Sequence, residues 1–535
     1  MMSHIPHLEC RNGKTMLIVH DQPLILLAGE VHNSNSSSLE YMEGVWEKAE
    51  ALGMNALLLP VAWQTIEPHE GQFDFALVDG LITQARQRGK RLVLLWFGSW
   101  KNAECMYAPA WVKTDLTRFR RAQIIKGKNK APRKEMYNLP YTSLSYLCNE
   151  ARDADARAFA RLMAHLREFD GEENTVVAVQ VENETGLLGA AREASDEADA
   201  LFVSPVPEEF AAWMRGHTDT MADDVKASVQ AGDPAGGWAE VFGPVAEKIF
   251  SAYHISRYVE AVAKAGKQEY PLPMAVNCWL DKGDAPGRYP SGGPVSRMHE
   301  VWQYGAPSVD LYCPDIYVSD FCGVCDEYTR RGGALFIPEC ATHSYAAPRM
   351  AYAVGHYHAV CYAPFGFEDM GLPFTATQGD LFGMDVTDPA LKTPQDIEEY
   401  GWFARTLNSL MPLLAERLGT SALQAVCSER KEERTLDFGV FHVMAAFDHP
   451  MLTKKDGVCL GIQTAPDECI LLVNRCGLMF ASGREDLPNL DILSLEEGEM
   501  LDGRWKTIRS LNGDEAAFMK YDVPTLLRLK VFIYG

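Results

Sequence analysis

The chain has 535 residues, of which 47% are hydrophobic and 23% are charged, so it is long enough for one large globular domain and one or two smaller ones. Its 50 basic and 73 acidic side chains give a formal net charge of −23, which argues against a nucleic-acid partner, because such a partner is bound by neutralising its phosphates. No apolar run is long enough to span a bilayer, so no membrane partner is expected either.

Strand and helix patterns alternate from Leu24 onward. Apolar runs of strand length fall at 24–29, 55–60, 91–97, 175–181, 273–279, 309–314, 334–338 and 359–364. Helical patterns fall at 40–52, 75–88, 153–169, 241–265 and 397–414. Eight parallel-type strands with intervening helices predict an α/β fold, a (β/α)8 TIM barrel over residues 1–420. A doubly wound open sheet is the alternative, which the absence of a Gly-rich phosphate loop after the early strands disfavours.

The pattern changes after residue 420. Short alternating segments at 435–444, 458–463, 469–473, 507–510 and 525–534 are separated by turn dipeptides, Asp-Gly at 456–457 and 502–503 and Asn-Gly at 512–513. These features predict a smaller all-β, sandwich-like domain over residues 421–535.

Two of the predicted strands end on glutamates. The run Val-Val-Ala-Val-Gln-Val from 176 to 181 leads into Glu182, Asn183 and Glu184, and Phe-Ile-Pro leads into Glu339. The carboxyl ends of barrel strands share one rim, so Glu184 and Glu339 are expected to meet there. Two carboxyl groups on either side of a sugar carry out glycoside hydrolysis, one as a proton donor and the other as an ionised group. Glu182 is interpreted as a structural residue, paired with a barrel Arg or Lys.

The chain resembles glycoside hydrolase family 35, with features of family 42, both of which contain retaining β-galactosidases. The resemblance rests on the motifs Gly29-Glu30-Val31-His32, Trp63-Gln-Thr-Ile-Glu67-Pro68-His-Glu70-Gly71-Gln-Phe73-Asp74-Phe75, Asn102-Ala103-Glu104 and Asn183-Glu184. It implies a retaining exo-β-glycosidase, specifically a β-galactosidase that works through a covalent glycosyl-enzyme. The alternatives are another sugar specificity, such as β-glucosidase or α-L-arabinopyranosidase, and a sugar-binding barrel that has lost catalysis.

The resemblance also implies roles for individual residues. Glu184 would be the general acid/base and Glu339 the nucleophile, while Asn183 would donate to the sugar 2-hydroxyl and Tyr317 would support Glu339. The remaining candidates for substrate binding are Glu30, His32, Trp63, Asn102, Glu104 and Trp279. His32 has a second interpretation in a buried polar network, and Glu104 has one in loop structure. Candidates for stacking on the pyranose ring are Trp63, Trp96, Trp100, Trp279 and Phe367.

The cysteines and the amino-terminal residues bear on location and cofactors. Residues 1–14 show no signal-peptide pattern, and thirteen scattered cysteines indicate reduced thiols, so a cytoplasmic location is predicted. Cys322 and Cys325 form the one CxxC pair, without a second pair at zinc spacing, so neither a metal nor an organic cofactor is predicted. The expected partner is a small oligosaccharide or glycoside, and a homo-oligomer is left open.

Overall fold

The computed structural model describes residues 5–126, 142–233, 236–373, 375, 379, 393–448, 452, 457–517 and 520–535. Its strands, labelled in chain order, are β1 (His7–Arg11), β2 (Lys14–Val19), β3 (Gln22–Leu24), β4 (Leu26–Glu30), β5 (Ala56–Ala62), β6 (Arg91–Phe97), β7 (Val176–Val181), β8 (Met274–Trp279), β9 (Leu311–Ile316), β10 (Phe336–Cys340), β11 (Cys361–Pro364), β12 (Leu423–Cys427), β13 (Thr435–Asp437), β14 (Phe441–Ala446), β15 (Val458–Ala465), β16 (Glu468–Asn474), β17 (Cys476–Ser482), β18 (Asn489–Leu501), β19 (Arg504–Ser510), β20 (Lys520–Tyr521) and β21 (Thr525–Tyr534).

The helices, labelled in the same way, are α1 (Leu39–Ala51), α2 (Trp63–Ile66), α3 (Ala76–Gln87), α4 (Ala110–Thr114), α5 (Asn149–Asp170), α6 (Asp196–Val203), α7 (Glu208–Gly216), α8 (Asp223–Ala231), α9 (Trp238–Phe242), α10 (Ala246–Glu269), α11 (His299–Gly305), α12 (Phe321–Thr329), α13 (Ala346–Tyr352), α14 (Ile397–Ser409), α15 (Met411–Arg417) and α16 (Asp514–Ala517). A π-helical turn, Ala353–Tyr357, follows α13. Within the described ranges, no helix has both the length and the apolar character of a membrane-spanning segment.

Strands β4 to β11 form a closed barrel in the order β10-β11-β4-β5-β6-β7-β8-β9. The strand pairs whose register is defined, β6 with β7, β7 with β8, β8 with β9, β10 with β11 and β11 with β4, are all parallel. The prediction of a (β/α)8 barrel is therefore confirmed, and the open doubly wound sheet is excluded.

The barrel strands are apolar along nearly their whole length because both of their faces are buried. In β7 all six residues are buried, and in β6 only Arg91, at the start, is partly exposed. A strand covered on both faces has no solvent side for polar residues, so its sequence is a continuous apolar run instead of an alternating pattern. This is why the sequence located these strands to within about two residues.

The chain divides into two compact units. The first comprises Met1–His7, His32–Met42 and Leu58–Asp315, and the second comprises Leu8–Val31, Glu43–Leu57 and Ile316–Gly535. The first unit contains β6 to β9 and the helices that connect them. The second contains β4, β10 and β11, together with all strands beyond residue 420. Since the division does not follow residue 420, the domain boundary between 420 and 421 stays a prediction.

The carboxyl-terminal strands form two antiparallel sheets, as predicted. One has the order β12-β15-β16-β21-β18-β19 and the other β13-β14-β17-β20. Residues of both sheets share one buried apolar cluster, which includes Leu436, Phe441, Leu471 and Leu527. The segment 435–444, predicted as one strand, is instead a hairpin, because Gly439 turns the chain with a φ of +74° between β13 and β14.

Candidate active site

The turn after β7 presents the residues that the sequence singled out. Strand β7 ends at Val181, and Glu182 and Glu184 have φ values of +63° and +47°. Such left-handed conformations are uncommon for residues other than glycine. The alternation of side chains along a strand therefore does not set the directions of the two glutamates.

Glu184 is buried, with 7% of its surface exposed, and its backbone is held on both sides. Its N–H donates to Oδ1 of Asn277 on β8 at 2.9 Å, and its carbonyl accepts from the N–H of Ala103 at 3.1 Å. The Asn277 amide in turn donates to Oδ2 of Asp315 at the end of β9, at 3.0 Å. Three successive barrel strands and the loop after β6 thus fix the position of Glu184.

Asn183 is fully buried and contacts Lys101, a buried residue of the loop that follows β6. The Lys101 ammonium donates to Oδ1 of Asn183 at 2.9 Å. An ammonium group can only donate, so this contact requires the carbonyl oxygen of the amide on the Lys101 side. The contact therefore determines which way the amide nitrogen of Asn183 faces.

Glu182 has a structural environment, as the sequence interpretation expected, but its partner is not an Arg or a Lys. It is fully buried beside Asp155 of α5, and its Oε2 accepts from the backbone N–H of Trp100 at 2.7 Å. Burial, and then the negative charge of Asp155, raise the pKa of Glu182 well above its usual range. A buried carboxyl group can be satisfied by sharing a proton with another carboxyl as well as by pairing with a cation.

Glu339 lies in β10, is 4% exposed, and is contacted by Tyr317, the residue that follows β9. The Tyr317 hydroxyl donates to Oε2 of Glu339 at 2.8 Å. A hydroxyl donor at this distance fixes the position of the carboxyl oxygen that it contacts. The contact expected of Tyr317 is therefore present, while the roles of both residues remain proposals.

The other predicted sugar-binding residues have varied surroundings. Glu30 is buried at the end of β4, and His32 lies half-buried two residues further on. Asn102 has a φ of +53° in the loop after β6, and Glu104 in the same loop accepts from Oγ1 of Thr142 at 3.3 Å. None of these contacts assigns a sugar-binding role.

The aromatic candidates differ in exposure. Of the five, all in the described part of the chain, only Trp279 keeps a partly exposed side chain. The indole N–H of Trp63 donates to Oε2 of Glu67 at 2.9 Å, and that of Trp96 donates to Oδ1 of Asp155 at 2.8 Å. Trp63 therefore packs as a core residue, and Trp279 is the candidate for a stacking platform.

Several residues with contacts to the candidate site were not predicted as functional. Lys101 and Asn277 hold Asn183 and Glu184, and Asp315 accepts from Asn277. The positions of Asn277 and Asp315 carry a signal, because each is a polar residue near the end of an apolar strand. Lys101 has no such signal, since its contact depends on the path of a loop.

The fold and these contacts define a class: a closed parallel barrel with a carboxyl group at the end of its fourth strand, β7, and another at its seventh, β10. Residues 16–124 match the family model described as Glycosyl hydrolases family 35, so the resemblance seen in the sequence is confirmed over this stretch. Residues 405–520 match a second family model, described as a domain of unknown function (DUF5597).

Individual relatives agree with this resemblance in part. A β-galactosidase from Xanthomonas manihotis is 30% identical over 177 residues, which are 32% of this chain and 25% of that protein. The crystal structure of a β-galactosidase from Bacillus circulans sp. alkalophilus has a TM-score of 0.45 at 13% identity, covering 72% of this chain and 56% of that one. For the β-galactosidase of the psychrophilic Marinomonas ef1 the TM-score is 0.46 at 13% identity, covering 74% and 61%. The chain thus spans less than two thirds of the length of each relative.

Proposed function

We propose that the chain is a retaining exo-β-glycosidase that removes terminal β-D-galactosyl residues from small oligosaccharides or glycosides. The observation that carries this proposal is the position of Glu184 and Glu339 at the carboxyl ends of two strands of one closed parallel barrel. Two similarities support the substrate class: the match of residues 16–124 to glycoside hydrolase family 35, and the 30% sequence identity with a β-galactosidase over 177 residues.

In the first step, the Glu339 carboxylate attacks the anomeric carbon while the bond from that carbon to the leaving oxygen breaks. Glu184, as a carboxylic acid, gives its proton to that oxygen, and a covalent glycosyl-enzyme remains. The hydrogen bond from Tyr317 fixes the Glu339 oxygen that it contacts, so that the other oxygen is directed to the sugar.

In the second step, Glu184 is a carboxylate and takes a proton from a water molecule. The water oxygen attacks the anomeric carbon, the bond to Glu339 breaks, and the sugar leaves with its original anomeric configuration. Asn183 donates to the sugar 2-hydroxyl, a contact that strengthens in the transition state, and Lys101 sets the orientation of its amide. Glu184 makes both proton transfers and Glu339 supplies the nucleophile, so the proposal includes no metal or organic cofactor.

Two substitutions test the catalytic pair. Glu184→Gln and Glu339→Gln are each expected to lower turnover of aryl β-galactosides by orders of magnitude, about 10³-fold or more, without loss of folding. The matched control is Glu168→Gln on the exposed side of α5, which should leave turnover unchanged. Near-normal turnover in either catalytic variant would refute the assignment.

Two further measurements decide the mechanism and the sugar. NMR of the first-formed product should show retained configuration, and an experimental structure should show the two carboxyl groups about 5–5.5 Å apart, as in retaining enzymes. A panel of nitrophenyl glycosides separates β-galactosidase from β-glucosidase and α-L-arabinopyranosidase. A chain that binds galactose but hydrolyses no member of the panel is a sugar-binding barrel without catalysis.

The cytoplasmic location also stays a proposal. All thirteen cysteines are free thiols, and twelve of them are buried, which supports a reducing compartment. Cell fractionation with an antibody to the chain tests this, and size-exclusion chromatography with light scattering gives the oligomeric state.

A further inference from the structure

A pair of buried carboxyl groups, Asp155 and Glu182, lies behind the turn that presents Glu184. Both residues are fully buried. Gly98 passes so close that a Cβ atom added to it would lie 2.6 Å from Oδ1 of Asp155 and 2.7 Å from Oε1 of Glu182. The closeness of these two oxygens to one backbone position shows how tightly the pair is enclosed, and a side chain at position 98 would require the carboxyl groups to shift.

The hydrogen bonds around the pair differ for its two members. Asp155 accepts from the indole of Trp96 at 2.8 Å and from the backbone N–H and the hydroxyl of Ser99 at 2.9 and 2.5 Å. The Ser99 hydroxyl also contacts that of Tyr258 at 2.7 Å. Glu182 accepts from backbone groups alone, the N–H of Trp100 at 2.7 Å and a smaller contribution from Ser99. Three donors satisfy an ionised carboxylate, so the arrangement favours the charge on Asp155 and the proton on Glu182.

The pKa directions agree with this division. Burial raises the pKa of both carboxyl groups. For Glu182 the negative charge of Asp155 and the hydrogen bond between the two groups raise the pKa further, whereas for Asp155 that hydrogen bond and those from Ser99 and Trp96 act to lower it, as expected for a neutral donor and an ionised acceptor. Two adjacent buried anions would repel each other without a cation to compensate them, so one shared proton is the favourable state.

Glu182 is connected to the reacting groups through the backbone. Its Oε2 accepts from the N–H of Trp100, and the Trp100 carbonyl accepts from the N–H of Asn183 at 3.3 Å. Three residues after Trp100, the N–H of Ala103 donates to the Glu184 carbonyl. Together with the bonds that Lys101 and Asn102 donate to Asn183, the loop after β6 and the turn 182–184 are thus joined by hydrogen bonds at five points, of which the Glu182 carboxyl makes one.

We propose that Glu182 is a positioning residue that acts as a neutral carboxylic acid: it donates to Asp155, accepts from Trp100, and thereby holds the turn that presents Asn183 and Glu184. This inference rests on the proposed glycosidase function, because the turn matters through the groups it presents. Glu182 itself does not contact the sugar in this account, so its loss is expected to act on kcat more than on KM.

Two variants separate this role from a general contribution to folding. Glu182→Gln keeps a donor and an acceptor at the same length, so kcat should stay within about 3-fold of the unmodified chain. Glu182→Met keeps the length without hydrogen bonds, so kcat should fall about 10- to 100-fold, the range expected when a catalytic group is displaced by up to 1 Å. The control is Glu193→Met, another buried glutamate, bonded to Ser145 and outside the turn, which should leave kcat unchanged.

Infrared spectroscopy tests the neutral acid without any turnover. The difference spectrum between the unmodified chain and Glu182→Gln at neutral pH should contain the C=O band of a protonated carboxylic acid. A missing band overturns the protonation state. Where Glu182→Gln does not fold, Asp155→Asn is the second reference, because it changes the hydrogen bond that Glu182 donates and should therefore shift the frequency of its C=O band; no shifted band then overturns the protonation state. An unchanged kcat in a folded Glu182→Met overturns the positioning role. If the unmodified chain hydrolyses no glycoside, the proposed function fails, while the infrared result still decides the state of Glu182.

Discussion

At the scale of single residues, the contact between Lys101 and Asn183 gives a prediction about the sugar 2-hydroxyl. Lys101→Met removes the ammonium that fixes the carbonyl side of the Asn183 amide, so the amide can rotate and its donor is no longer held towards the sugar. We expect kcat/KM for an aryl β-galactoside to fall by about 10- to 100-fold, which corresponds to about 1.4 to 2.7 kcal/mol of transition-state stabilisation.

The 2-deoxy analogue distinguishes orientation from general damage. It has no hydroxyl for Asn183 to bind, so its kcat/KM should change much less in Lys101→Met than that of the galactoside. The control is Lys113→Met, because the Lys113 ammonium contacts Gln64 and the carbonyl of Met106 on an exposed part of the chain. An equal loss for both substrates would show that Lys101 maintains the loop and does not orient the amide.

The residues foreseen from the sequence and those that were missed differ in a physical way. Glu184 and Glu339 come directly after or at the end of apolar runs, and carboxyl groups in such places indicate a function or a partner. Lys101 and Asp155 acquire their contacts only when a loop and a helix approach the end of β7, which no local pattern encodes. The left-handed φ values of Glu182 and Glu184 could not be predicted either, since the sequence at these positions contains no glycine.

At the scale of elements, the predicted strands are again those with a clear local pattern in the sequence, and the missed strands are those without one. The eight barrel strands could be predicted because a strand that is buried on both faces has apolar residues at successive positions. Strand β18 was missed because its alternating, half-exposed residues include several glutamates, and strands with one solvent face carry a weaker signal. The three-stranded sheet β1 to β3 and the short strand β12 were missed as well, since a few residues of alternation do not stand out from a loop.

The π-helical turn Ala353–Tyr357 gives a prediction about packing between elements. A Cβ atom added to Gly355 would lie 2.6 Å from the Cβ of Ala425 on β12 and 2.9 Å from a methyl group of Leu460 on β15. Gly355→Ala should therefore push the turn away from the sheet and destabilise the fold by about 1–3 kcal/mol, the usual cost of overpacking.

Gly44→Ala is the matched control for this substitution. Gly44 lies in α1 with no atom near the position of an added Cβ, so alanine should stabilise the helix by about 1 kcal/mol. Thermal unfolding followed by circular dichroism should thus move the midpoint down for Gly355→Ala and up for Gly44→Ala. A midpoint for Gly355→Ala equal to that of the unmodified chain would mean that the turn and the sheet do not pack closely in solution.

At the scale of the whole molecule, a buried ion pair links the helix that closes the predicted barrel domain to the carboxyl-terminal sheets. Glu399 of α14 contacts the Arg475 guanidinium at 2.5 Å and accepts from the Asn474 amide at 3.2 Å, and both charged side chains are at most 10% exposed. All three residues belong to the second compact unit. This link explains why that unit extends on both sides of residue 420, and it predicts that the sheets do not unfold independently of α14.

Glu399→Gln should destabilise the second unit by about 3 kcal/mol or more, because the guanidinium then stays buried without its countercharge. The double variant Glu399→Met/Arg475→Met removes both charges and should recover much of that loss, since apolar side chains of similar length replace a buried pair at little cost. Urea unfolding, with the midpoint of the transition as the readout, measures both.

The control is Glu416→Gln, which removes one partner of the exposed pair with Arg417. It should change the free energy of unfolding by less than about 1 kcal/mol, and the midpoint correspondingly little. Two results would contradict this prediction: a midpoint for Glu399→Gln equal to that of Glu416→Gln, or a separate unfolding transition for the sheets. In either case the Glu399–Arg475 pair would not join the sheets to α14, and residue 420 would be a boundary between independent domains.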